Sequence, residues 1–77
     1  MDFYLGGIIL FAGNFAPQGW AFCDGSLLSV NENMALFSVL GTTYGGDGVT
    51  NFALPNLPDQ AGTKHIIALV GIYPSRA

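Results

Sequence analysis

The chain carries one cysteine, Cys23, and one histidine, His65. A thiol needs a neighbouring base to become an effective nucleophile. Nothing in the sequence places these two together. Cys23 follows an apolar run and precedes a turn, the usual setting of a buried, inert thiol. His65, beside Lys64, reads as a loop-to-strand residue. One cysteine and one histidine are also too few for a closed zinc site within one copy. Asp24, Asp47 and Asp59 are loop carboxylates, but their spacing matches no calcium-binding loop. Gly45-Gly46-Asp47-Gly48 has the glycine density of a phosphate cradle. It lacks the lysine and does not open a helix after a strand. The glycines are expected to shape the backbone, with Asp47 holding the turn. Phe15, Trp20, Phe22, Tyr44, Phe52 and Tyr73 could stack on a sugar. A chain this short needs its rings for burial, which favours core or interface anchors. No catalytic residue, cofactor site or metal site is therefore expected.

The elements that hold these residues read as a compact, strand-dominated α+β domain. Leu5–Phe11 (LGGIILF) and Trp20–Cys23 (WAFC) read as strands separated by turn signals at Gly13-Asn14 and Pro17-Gln18-Gly19. Asp24-Gly25 closes the second strand, and Ser26–Val30 is a further extended piece. One helix is predicted over residues 32–40, with Asn31 as N-cap and Glu32 in the first turn. Met34, Phe37 and Leu40 give it an apolar stripe, and Gly41 stops it. Thr42–Val49 is a glycine-rich loop, Phe52–Pro55 is extended, and Asn56–Lys64 is a polar loop. Ile66–Tyr73 (IIALVGIY) is the strongest strand. Its unbroken apolar run implies burial on both faces. One face is expected on the helix or first strands and the other at a subunit contact. The alternative is a strand enclosed within one chain, with the contact then sought around Phe3–Ile9.

Composition narrows the function. At 77 residues the chain suffices for one domain, taken as 1–77, with a marginal core. Such small folds need a staple. A lone cysteine cannot form an internal disulfide, which leaves association with other chains. Charged residues are 9% and hydrophobic residues 51%, so apolar surface should remain outside and mark contacts. Net charge is −3, with Lys64 and Arg76 the basic residues. That argues against a nucleic-acid partner, an anionic membrane surface and a cationic membrane-active peptide. Phe3–Cys23 is uncharged but too interrupted by glycine and proline to span a bilayer. No positively charged leader precedes its apolar part, so no signal peptide is recognised.

FAGNFAPQGWAFCDGSLLSV (Phe11–Val30), continued by NENMALFSVLGTTYGGDGVTNFALPNL (Asn31–Leu57), resembles the phage tail collar domain. It is most similar to the branch of microcystin-dependent proteins. That pattern runs approximately FAGNFAP-x-GWA-x-CDG-x-LL, then N-x-ALFSLLGTTYGGDG, then FALPDL. IIALVGIYPSRA resembles the family's closing run. Family members usually carry a long variable stretch before that run, where receptor or sugar recognition would be expected. Here only Pro58–Lys64 fills the place. The family also often has charged residues where this chain has Gly7, Ile9, Gln18, Val49 and Asn56. The resemblance implies a β-rich collar fold with one short helix, found in trimeric tail fibres and related appendages.

The expected role is a non-enzymatic structural subunit of a tail fibre, a tail-like apparatus or an extracellular filament. Its partners would be copies of itself, as a closed trimer or an open filament, with other tail or appendage proteins. Its place would be a virion tail or an extracellular appendage. The competing reading is a carbohydrate- or receptor-binding module of a fibre tip.

Overall fold

The computed structural model describes residues 3–75. Its elements run β1 (Ile8–Phe11), β2 (Trp20–Phe22), β3 (Leu27–Ser29), α1 (Met34–Leu40), β4 (Asn51–Ala53) and β5 (Lys64–Ala68). The strands form two antiparallel sheets, one ordered β1-β5-β2 and the other pairing β3 with β4. The expected β-rich α+β architecture is therefore present. Among the described residues no helix is long and apolar enough to cross a membrane. Arg76 lies outside the described residues.

The last strand sits at the centre of its sheet. Ile67 pairs with Ile8 and Ala21, and Ile66 with Ile9 and Phe22. Adjacent residues of a strand point to opposite faces, yet Ile66 is 1% and Ile67 0% exposed. Ile67 belongs to a core with Leu5, Cys23, Leu36, Phe52 and Leu54, so the expected packing on the helix is realised through Leu36. The other face is also closed within the chain, between residues of β1 and β2. The expectation that one face of this strand serves a subunit contact is thus corrected for Ile66 and Ile67.

The strand is also shorter than its apolar run. It spans Lys64–Ala68 rather than Ile66–Tyr73, because the chain turns at Gly71 (φ +150°). A β-carbon at Gly71 would lie 2.4 Å from the carbonyl oxygen of Phe3. That close approach lets Ile72 pair in parallel with Tyr4, with Leu5 N–H donating to the Ile72 carbonyl and Ile72 N–H to that of Phe3. The first strand is shorter for a related reason. Its predicted opening, Leu5 to Gly7, forms a turn in which Gly7 N–H donates to the Tyr4 carbonyl.

The helix begins at Met34, two residues after the predicted start, and its N-cap is Asn33 rather than Asn31. Asn33 makes no side-chain cap. Its amide donates back to the Ser29 carbonyl at 3.1 Å, and Glu32 N–H reaches the Ser29 hydroxyl. This local bonding holds residues 31–33 in a turn, and Glu32 falls outside the first helical turn. Leu36 is the buried helix residue, with Phe37 and Leu40 packed against the same core. Met34, predicted on the apolar stripe, is 66% exposed. Gly41 ends the helix as expected, its N–H donating to the Phe37 carbonyl at 2.7 Å. Seven residues are too few to be helical alone, so this packing holds them.

Candidate functional site

The β2–β5 pairing continues one residue past β2. Cys23 N–H donates to the His65 carbonyl at 3.0 Å, and the Cys23 carbonyl accepts from Leu57 N–H at 2.9 Å. Cys23 thereby laces three segments together: the exit of β2, the Asn56–Asp59 stretch and the start of β5. Asp24 bridges to Asn56, and Gly25 N–H donates to the Pro55 carbonyl. Between these segments lies a hollow of about 270 Å³, lined by Phe22, Cys23, Asp24, Asn56, Leu57, Pro58, Asp59, Lys64 and His65.

The structure thus brings Cys23 and His65 to one place, although nothing in their spacing along the chain links them. The bond between them is made by backbone atoms, Cys23 N–H to the His65 carbonyl. Cys23 is buried, and burial first, then the nearby Asp24 carboxylate, pushes its thiol pKa up. A raised pKa keeps sulfur as the poorly reactive thiol. The His65 Nδ1 faces the Pro58 carbonyl at 3.2 Å.

The carboxylates are each engaged locally. Asp24 accepts from the backbone N–H and hydroxyl of Ser26, and the hydroxyl bond is the main reason its pKa is lowered. Asp59 pairs with Lys64 at 2.8 Å, both ends solvent-exposed. Such a pair adds little stability. Among the described residues no three His, Cys, Asp or Glu side chains converge as a metal would need.

The glycine loop is organised as expected. Asp47 accepts from Val49 N–H and Thr50 N–H, both at 2.8 Å, from Asn51 N–H at 3.1 Å, and from the Thr50 hydroxyl. Within the glycine run itself, Gly45 N–H donates to the Thr42 carbonyl, Asp47 N–H to the Asn51 side-chain oxygen and Gly48 N–H to the Asn51 carbonyl. The donors to Asp47, Val49 N–H foremost, hold its carboxyl well below the usual range. A carboxyl with a lowered folded-state pKa stabilises the fold above its unfolded value, and this is lost as pH falls. Asp47→Asn is expected to melt lower than the parent at neutral pH, with the gap closing as pH falls from about 4 towards 2. Thermal melts across that range check this. A gap independent of pH would mean that the charge is not what holds the loop.

The six aromatic residues are dispersed. Phe52 is fully buried, and Trp20 packs edge-on against Phe3 at 5.0 Å. Phe15, Tyr44 and Tyr73 are exposed. Of the positions where the resemblance implies lost charge, Gln18, Val49 and Asn56 are exposed, while Gly7 and Ile9 are half-buried.

A second feature is an exposed apolar band where the first and last described segments meet. Tyr4 and Ile72 are bridge partners, 62% and 49% exposed. The Tyr73 and Ser38 hydroxyls hydrogen-bond at 2.5 Å, and Val39 and Tyr73 line one shallow hollow with Ser38, Pro74 and Ser75. The helix's outer side and both chain segments thus form one surface. Sequence reasoning pointed to Phe3–Ile9 but not to its union with residues 70–73. That union depends on the parallel bridge, which leaves no periodic trace.

The family model for the phage tail collar domain matches residues 6–61. No curated protein matches the chain.

Proposed function

Because the chain belongs to the phage tail collar domain family, we propose that it is a non-enzymatic structural subunit of a tail fibre or related appendage, built from copies of itself. Residues 1–77 act as one collar-like unit in this reading. The observation that carries it is the band of Tyr4, Val39, Ile72 and Tyr73, all exposed in a chain with only 9% charged residues. Exposed apolar side chains of this kind are costly to leave in water, and their clustering at one end of the chain supports contacts between chains. A virion tail or extracellular appendage is the setting this role implies.

The side chains of Tyr4 and Ile72 project from a bridge whose hydrogen bonds are made by backbone atoms. Charging one should disturb a contact without undoing the fold. The parent chain is expected to sediment as an oligomer at micromolar concentration. Ile72→Lys should sediment as a monomer with unchanged circular dichroism. A folded monomeric parent would refute self-association, and an Ile72→Lys variant that remains fully oligomeric would move the contact away from this band.

A further inference from the structure

The three-stranded sheet ends at β1, and that edge is open. On β5 the His65 carbonyl accepts from Cys23 N–H on the β2 side, whereas Ala68 N–H donates to the Gly7 carbonyl on the β1 side. The direction of bonding alternates along a strand. His65 and Ile67 therefore bond towards β2, and Lys64, Ile66 and Ala68 towards β1. Ile8 and Leu10 stand opposite Ile67 and His65, so their own N–H and C=O groups point away from β5. Among the described residues nothing bonds to them from that side. The other strand edges are partly engaged. Trp20 N–H on β2 donates to the Pro17 carbonyl, the Ser29 carbonyl on β3 accepts from the Asn33 amide, and Ala53 N–H on β4 donates to the Gly45 carbonyl. Sheet edges are usually blunted by charge, proline or a bulge. The β1 sequence IILF has no charge and no proline, and Ile8 and Leu10 are 39% and 49% exposed. The irregularity at Gly6 and Gly7, both bonded to Ala68, lies before the strand.

We propose that β1 pairs antiparallel with the β1 of a second copy, Ile9 of one chain beside Ile9 of the other. This rests on the self-association reading above and specifies its geometry. The partner is a second copy because β1 is the edge with both outward residues unengaged. Copies that meet along this sheet therefore join like edge to like edge, as a two-fold contact requires. In that register Ile8 of each chain faces Leu10 of the other, and each pair exchanges both its N–H···O bonds. Apolar side chains meet apolar ones, with no like charges opposed. The exposed band leads into this edge, since Gly7 N–H donates to the Tyr4 carbonyl and Ile8 follows. Antiparallel pairing carries the Tyr4 end of one chain towards the Gly13–Phe15 end of the other, where Phe15 is 67% exposed. The backbone bonds of so short a pairing are too few to hold two chains at micromolar concentration. The apolar band supplies the rest, so charging Ile72 still dissociates the pair.

The test compares disulfide trapping in Ile9→Cys and Leu10→Cys, made in the full chain with buried Cys23 kept and the parent as control. The Ile9 pair is a non-hydrogen-bonded one, with Cα atoms about 4.5 Å apart, within reach of a disulfide. The two Leu10 positions are offset along the strands by about 8 Å, beyond that reach. Non-reducing gels under mild oxidation should show covalent dimer forming about tenfold faster or more in Ile9→Cys than in Leu10→Cys. Random collision would favour the reverse, because Leu10 is exposed and Ile9 half-buried. Leu10→Pro removes an outward N–H, which an edge strand tolerates. It should keep the parent's circular dichroism and sediment as a monomer. A monomeric parent overturns self-association and this pairing together. An oligomeric parent in which Leu10→Cys is trapped as fast as Ile9→Cys overturns this pairing alone, and so does a folded Leu10→Pro that remains oligomeric. The trapping comparison stands whether or not the proline variant folds.

Discussion

Gly46→Ala is expected to unfold the chain at room temperature or bring it close to unfolding. Gly46 has φ +93°, which costs a residue with a β-carbon about 1–2 kcal/mol. The larger effect is steric. An added β-carbon would stand 2.5 Å from Phe52 Cα, 2.9 Å from the Asn51 carbonyl oxygen and 3.0 Å from Phe52 N. These are backbone atoms of β4, and the Phe52 side chain is fully buried among Leu36, Leu54 and Ile67. Relief requires moving a strand that is anchored in the core. The combined cost should exceed about 3 kcal/mol, a large share of the stability of a domain this small. Gly41→Ala is the control. Gly41 also has positive φ (+58°, with ψ −145°) but meets nothing within 4 Å at the β-carbon position, so its replacement should carry backbone strain of about 1–3 kcal/mol without the clash. Urea melts of the two variants give the comparison directly. Equal midpoints would mean that the loop does not press against β4.

Lysine at Ile66 and lysine at Ile67 should each unfold the protein, although the two side chains point to opposite faces of β5. Both positions are closed from solvent within one chain. An unpaired ammonium there loses its hydration and gains no partner, at a cost of roughly 3 kcal/mol or more. Circular dichroism and gel filtration distinguish this from the outcome a subunit contact would give. If either variant remained folded while dissociating, that face of β5 would have to lie open in the free chain. Ile72→Lys, only four positions beyond the end of the strand, should behave in the opposite way and stay folded.

That contrast also marks what could be read from the sequence. Ile66–Tyr73 is one apolar run, and hydropathy alone cannot divide it. The division comes from Gly71, whose close approach to Phe3 is a tertiary fact. The strand-forming core Ile8–Phe11, the extended Trp20–Phe22 and the helix around Leu36 were legible because their composition and periodicity agree with their environment. The helix start was not. Asn31 and Asn33 are both good caps, and the choice was made by bonds to Ser29 that no propensity encodes. Asp47 was legible as a loop-holding residue because an aspartate among glycines has few other uses. The hollow was not legible. Asp24 and the Asp59–His65 stretch are distant in sequence, and they meet only because β2 pairs with β5 in one particular register. The proximity of Cys23 and His65 was not legible either, since their strands meet only through the β2–β5 pairing, where burial raises the thiol pKa.

The position of β5 also governs when the molecule can fold. β1 and β2 are not paired with each other; each is paired only with β5. During synthesis the chain must therefore extend from Phe22 to beyond Lys64 before either strand finds its partner. At about 5–20 residues per second that interval is roughly 2–8 s. Throughout it, Ile9, Phe11, Trp20 and Phe22 have no sheet to join. Pairing across such separations is slow to nucleate. A chain cut short before Ala68 would lack the strand that unites the sheet, and would expose apolar strand residues to chaperones or proteases. Synthesis of β5 is thus the event on which the whole three-stranded sheet waits.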